Sequence, residues 1–265
     1  MRHSDALGGI GTHLVPVPAI YVLQDSSVPT HIPLPSSNRL LGLLSVTQRK
    51  LLLRQAETVA LEFGDILCER DDPFRYVYFP LSGFISQVCV TSSHPPLEMS
   101  LIGNEGMLGS MLALGINRVP MRGVVQGPGL ALRIKANLFR QRMRDNAALL
   151  KTVNRYLYSF ITQLTQTATC HRFHEVEARL ARWLLLTHDR AQADHFHLTH
   201  QFLADMLGVQ RSAVTIAAGS LQQQGLINYS RGEINILDRH KLEASSCECY
   251  ARAVADNRKL FAKVR

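Results

Sequence analysis

The sequence has no long hydrophobic run. Its longest apolar stretch near the N-terminus, LVPVPAIYVL, spans about ten residues and holds two prolines, whereas a membrane-crossing helix needs roughly 20. No small-residue cleavage site follows a signal-like core, so a soluble, cytoplasmic protein without membrane contact is expected. Cysteine is sparse: Cys68, Cys89, Cys170, Cys247 and Cys249 are five in number, without framework spacing. That argues against a disulfide scaffold and suits a reducing compartment. Histidine is almost missing from residues 60–135, where only His94 occurs, in the loop SSHPP. A cupin-like metalloenzyme, which needs two or three strand histidines, is thereby disfavoured. No strand–turn–helix G-x-S-x-G element appears either, so a serine hydrolase lacks support.

Acidic residues are in the minority, 21 against 29 Lys and Arg, for a formal charge of +8. The balance favours an acidic partner such as nucleic acid. The excess is uneven: residues 118–155 hold nine Lys and Arg against the single Asp145, whereas 171–265 is close to balanced. With 265 residues, 46% hydrophobic and 19% charged, the chain is long enough for two globular domains.

Residues 1–37 are rich in Pro, Gly, Ser and His without periodicity, and read as a disordered extension. Residues 38–64 place Leu40, Leu41, Leu44, Leu51 and Leu52 at helical spacing, which predicts short helices leading into a sheet. From about 60 to 135 the chain alternates, as in YVYFPLSGFISQVCV, with Gly breaks at intervals of roughly ten residues. That is the rhythm of a small antiparallel β-sandwich or barrel. Leu150, Val153, Leu157, Phe160 and Leu164 then step by three and four, as a coiled-coil seam does. A long helix over 139–170 that joins two copies is expected from them.

LTHQFLADMLGVQRSAVTIAAGSLQQQGLI (198–227) carries the strongest signal. A helix-turn-helix needs a small residue where its helices cross, a Gly with positive φ in the turn, and a β-branched plug in the second helix. Counting His200 as first, Ala204 is fifth, Gly208 ninth and Val214 fifteenth, which meets all three demands. Thr199 suits the N-cap. The second helix should expose Gln210, Arg211, Ser212, Thr215 and Ile216 near its N-terminal end, where base edges are read. LINYSRGEINIL then reads as a hairpin wing whose Arg231 reaches a phosphate. The basic run RQRMRD (140–145) reads as a solvated helix face, and His195 and His197 as loop or strand-edge residues.

The order sandwich, seam helix, winged helix-turn-helix resembles the Crp/Fnr family of bacterial transcription regulators over roughly residues 38–250. VYFPLSGFIS, LIGNEGMLG, EARLARWLLL, YSRGEINILDRHKLE and CECY carry the resemblance. It implies an α+β chain: a cyclic-nucleotide-binding-like jelly roll (38–138), a dimerisation helix (139–170), a winged helix-turn-helix (171–245) and a C-terminal tail (246–265). It further implies a non-enzymatic homodimer on a palindromic double-stranded promoter site, and RNA polymerase as the partner an activator needs. The alternative is a cyclic-nucleotide-responsive module acting on a protein partner.

Nucleotide-binding members carry a Gly-Glu pair and an Arg-Ser or Arg-Thr pair in their phosphate cassette. Here Gly109-Ser110 and Val119-Pro120 stand in those places. Ser110 is too short to replace the carboxylate, and Val119 cannot neutralise a phosphate. Gly109, Ser110, Arg118 and Arg122 are the candidate effector pocket, for an unknown ligand. No cofactor and no metal are expected. An iron–sulfur member would show clustered N-terminal cysteines. Cys247 and Cys249, one residue apart, would point about 200° apart on a helix. Of the trio Cys170, His171 and His174, the two histidines share a helix face, but Cys170 reads as packed and the histidines as polar hinge residues.

Overall fold

The computed structural model describes residues 37–262; the expected extension over 1–37 lies, but for Ser37, outside them. Among the described residues no helix is long and apolar enough to cross a membrane. The fold starts from Asn38, which is fully buried. Its side chain accepts from Leu41 N (3.1 Å) and donates to the carbonyls of Pro80 and Gly106, both at 2.9 Å. It thereby caps α1 (Arg39–Gly42) and pins it to the sandwich. A capping box of Ser45 and Gln48 starts α2 (Val46–Leu53).

Seven antiparallel strands follow in two sheets. One runs in the order β1 (Glu57–Leu61), β7 (Gly129–Lys135), β3 (Tyr76–Pro80). The other runs β2 (Ile66–Cys68), β6 (Arg122–Gly127), β4 (Phe84–Cys89), β5 (Leu97–Ile102). Leu61, Tyr78, Ile85, Ile102, Val125 and Ala131 fill the space between them, as a two-sheet core requires. β4 is buried along nearly its whole length rather than half-buried. Its second face, with Phe84 and Val88 beside Leu101 and Val124, packs against Trp183, Phe202 and Met206 of the C-terminal domain.

The expected single helix over 139–170 is two helices, α3 (Ala136–Asp145) and α4 (Ala147–Phe173). Asn146 separates them: at φ −140°, ψ 95° it is extended, and its side-chain oxygen accepts from Ala148 N and Leu149 N, both 3.1 Å away. The cap restarts the helix. Met143 of the RQRMRD run is buried while Arg144 and Asp145 are exposed.

The residues of the expected dimer seam are not an open face of this chain. Val153, Leu157 and Phe160 are buried within the same chain, Val153 in the core with Val77 and Phe139, and Leu157 and Phe160 against Met121. Leu150 and Leu164 are half-buried on those same clusters. The stripe therefore covers the chain's own sandwich. The face left open is a second one: Ala147, Lys151, Asn154, Tyr158, Ile161, Thr165 and Ala168 are all exposed and step by four and three.

α5 (Val176–Ala191), β8 (His195–His197), α6 (His200–Leu207), α7 (Arg211–Gln223), β9 (Ile227–Ser230), β10 (Glu233–Ile236) and α8 (Arg239–Ser245) form the C-terminal domain. Its small sheet runs in the order β8-β10-β9. The stretch 246–265, expected as a tail, holds the 14-residue helix α9 (Glu248–Phe261). Tyr250, Val254 and Leu260 give it an apolar face. Arg155 of α4 donates to the Leu260 carbonyl at 2.6 Å, satisfying an end carbonyl of α9.

Candidate nucleic-acid interface

α6 begins at Thr199, whose hydroxyl accepts from Phe202 N at 3.1 Å. It ends at Gly208, with φ +61°. Ala204 is buried where the helices cross, and Val214 and Leu221 plug α7 into the core. A Cβ on Gly208 would also lie 2.7 Å from Leu97 Cδ1. The left-handed backbone favours glycine at this turn, and any side chain there would also have to displace the Leu97 methyl.

α7 presents Gln210, Arg211, Ser212, Thr215 and Ile216 to solvent. Gln210, its N-cap, makes no side-chain capping bond, so its amide is free for a ligand. The Arg211 guanidinium has no hydrogen-bond or ion-pair partner among the described residues. Ile216 is 74% exposed, an apolar cost unless something covers it. The Thr215 hydroxyl is already engaged, 2.9 Å from His200 Nδ1 and 3.1 Å from the Arg211 carbonyl. Its methyl is thus the freer part for a ligand.

The wing is a hairpin with Arg231 (φ +51°) and Gly232 (φ +90°) as its two-residue turn, the positive-φ pair that such tight hairpins require. Arg231 is exposed at the tip. Behind it, His195 Nε2 and His197 Nδ1 reach Glu233 at 2.6 and 2.5 Å; both histidines lie on β8 and hold the wing to the domain. Thr199, His200, Gln201, Arg211, Tyr229 and Arg231 line a groove between α7 and the wing.

Two residues of this groove, His200 and Tyr229, take a role that the sequence pattern does not assign them. The His200 ring stacks on Tyr229, centroids 4.3 Å apart and 13° from parallel, while its Nδ1 meets Thr215. Burial and then the nearby Arg211 push the His200 pKa down, so the ring is neutral at pH 7. It ties α6, α7 and β9 together. No spacing rule marks it; the contact closes only in three dimensions.

The expected effector residues are differently disposed. Gly109 has φ +97° and Ser110 is buried at the start of a short 3-10 turn. Val119 is buried, and its N–H and carbonyl pair with Asp72 and Asp71. Arg118 donates to the Asp71 carbonyl at 2.8 Å, and Arg122 pairs with Glu69 at 2.8 Å. Both guanidinium groups contact the 69–72 segment, while Arg122 Nε is buried without a hydrogen-bond partner among the described residues.

At the hinge between α4 and α5, Cys170, His174, Cys247 and Cys249 converge. The expectation that Cys247 and Cys249 diverge assumed that both are helical. Cys247 is instead the N-cap of α9, with extended φ −72°, ψ 160°, and so its side chain swings to the same side as that of Cys249. The trio Cys170, His171 and His174 splits: His171 turns to Arg179, 3.3 Å away, and burial with that arginine pulls its pKa to about 4. Cys170 lies 3.5 Å from Cys247. The two thiols share one hydrogen bond, which lowers the pKa of the acceptor and raises that of the donor.

Residues 178–245 match the Crp-like helix-turn-helix domain. No curated protein matches the sequence. Solved structures show the likeness over both domains. A protein from Eubacterium rectale, described as a regulator of the Crp/Fnr family, superposes with a TM-score of 0.64 at 19% identity over 79% of this chain and 98% of its own. FixK2 from Bradyrhizobium japonicum gives 0.61 at 14% identity over 72% of this chain and 98% of its own. The c-di-GMP responsive global regulator CLP of Xanthomonas campestris gives 0.60 at 17% over 72% and 99%. The chain thus has the Crp/Fnr fold: a cyclic-nucleotide-binding-like sandwich, a long helix and a Crp-like helix-turn-helix.

Proposed function

We propose that this chain is a homodimeric, sequence-specific DNA-binding transcription regulator without catalytic activity. The supporting observation is the N-terminal end of α7, where Gln210, Arg211, Ser212 and Ile216 stand exposed beside a wing tipped by Arg231. In a major groove, Arg211 donates to guanine O6 and N7, Gln210 pairs with adenine or a phosphate, and Ile216 covers a thymine methyl. Arg231 and the groove it shares with Thr199 take backbone phosphates. Thr215, its hydroxyl held by His200, offers its methyl to a base. RNA polymerase is the further partner if binding activates.

Two copies are joined along the exposed stripe of α4. Ala147, Lys151, Asn154, Tyr158, Ile161, Thr165 and Ala168 keep the seven-residue repeat of a two-helix seam. Tyr158 is 75% and Ile161 50% exposed, apolar area that a second copy removes from water. The dimer then sets two α7 helices against half-sites about 34 Å apart. The sensor does not hold a cyclic phosphate in the family's manner, because Val119 is buried and Arg118 and Arg122 are engaged elsewhere.

The test is a gel-shift titration on DNA selected from a random pool. Arg211→Ala should weaken specific binding by about 1–3 kcal/mol, or roughly 5- to 150-fold, and relax preference at one base position. Cyclic AMP or cyclic di-GMP should leave the titration unchanged. Full specific affinity in Arg211→Ala would overturn this assignment of the recognition face.

A further inference from the structure

The hinge cluster has chemistry that DNA reading does not use. The donor atoms of Cys170, His174, Cys247 and Cys249 all lie within 4.8 Å of one another. Cys170 Sγ is 3.5 Å from Cys247 Sγ, and Cys249 Sγ is 3.6 Å from His174 Nδ1. A tetrahedral ion with metal–sulfur bonds of about 2.3 Å and a metal–nitrogen bond of about 2.05 Å sets its donors about 3.5–3.8 Å apart. The cluster is already near that size. It is too tight for an iron–sulfur cluster, whose ligands stand on different iron atoms.

Three further features fit a metal rather than a chance meeting of thiols. His174 Nε2 is 3.1 Å from the Glu248 carboxylate, which leaves Nδ1 facing Cys249; a ligand imidazole is characteristically oriented by such a carboxylate on its other nitrogen. The Arg182 guanidinium is buried beside the cluster, and its Nε has no hydrogen-bond partner, a donor available to a metal-bound thiolate. Cys170, Cys247 and Cys249 are all buried, the closed setting of a structural site. A disulfide between Cys170 and Cys247 would leave Cys249, His174 and Glu248 without a purpose.

We propose that Cys170, His174, Cys247 and Cys249 bind one tetrahedral divalent ion of the zinc type, which staples the end of α4 to the start of α9. On binding, the cysteines coordinate as thiolates, their protons pass to solvent, and the imidazole enters neutral through Nδ1. The ion joins residues 170 and 174, at the hinge, to 247 and 249, just beyond the helix-turn-helix domain. It therefore fixes the angle at which that domain leaves the long helix. The inference is independent of the DNA-binding reading.

The test uses the full chain, purified under reducing conditions. Elemental analysis should find one equivalent of zinc per chain. The metal-stripped protein titrated with Co²⁺ should show thiolate-to-cobalt charge transfer and the strong visible bands of tetrahedral cobalt, saturating at one equivalent. Cys249→Ser and His174→Ala should each lose the metal or weaken it at least tenfold, whereas Cys68→Ser, remote from the cluster, should keep it. A featureless cobalt titration of the wild-type chain would overturn the proposal. So would undiminished metal in both Cys249→Ser and His174→Ala, or a Cys170–Cys247 disulfide, seen by mass spectrometry, that forms in the presence of zinc.

Discussion

At the scale of single residues, position matters more than residue type. Gly208 serves both a left-handed turn and a contact with Leu97. Gly208→Ala should therefore destabilise the protein by about 1–3 kcal/mol, read as a lowered denaturant midpoint with unchanged slope. An unchanged midpoint would mean that the turn does not hold this backbone in solution. The residues of the helix-turn-helix were legible because their demands are local: crossing, turn and plug fall at fixed intervals in 15 residues. The cysteine cluster was not. Cys247 and Cys249 look divergent as long as both are assigned to a helix, and only the extended cap at Cys247 reverses that. His200 was hidden for a different reason, because its partners Thr215 and Tyr229 are 15 and 29 residues away.

At the scale of elements, the long helix shows what apolar periodicity can and cannot reveal. The spacing of Leu150, Val153, Leu157, Phe160 and Leu164 marks a buried face, but nothing in it says what does the burying. Here the cover is the chain's own sandwich, through Met121 and the core around Phe139. The polar-looking stripe of Lys151, Asn154, Tyr158 and Ile161 is the one without a cover. Ile161→Glu with Tyr158→Asp should turn the proposed dimer into a monomer by light scattering, because two charges would be buried in the seam. Val153→Asp would be expected to unfold the sensor instead. A double variant that stays dimeric would send the interface elsewhere. α9 left one local mark, Tyr250 and Val254 four residues apart, in a segment whose position at the end of the chain suggested a tail.

At the scale of the whole molecule, the two domains share a buried polar contact. Glu98 of β5 is buried; its Oε1 accepts from Trp183 Nε1 at 2.8 Å, and its Oε2 is 2.7 Å from the Ser86 hydroxyl. Burial raises its pKa to about 7, against the smaller opposing pulls of Ser86, Trp183, Arg182 and Arg190. The folded chain thus keeps a proton on Glu98 between about 4.5 and 7 that the unfolded chain has released. Stability from this group is full below pH 4.5 and declines as pH rises through 7, by an amount on the order of 3 kcal/mol. Thermal unfolding midpoints should fall between pH 6 and pH 8 at fixed salt, and Glu98→Gln should flatten that decline. An equal decline in Glu98→Gln would assign it to another group. No sequence pattern announced this contact, since Glu98 alternates along its strand as a surface residue would.

The helix-turn-helix rests with its bend against Leu97, on strand β5 of the sandwich. A close-packed joint of that kind has no intermediate setting: it is seated or it is parted. If the chain pairs on DNA as proposed, that joint works as a ratchet rather than a dial, and the two reading heads shift between discrete spans on the double helix.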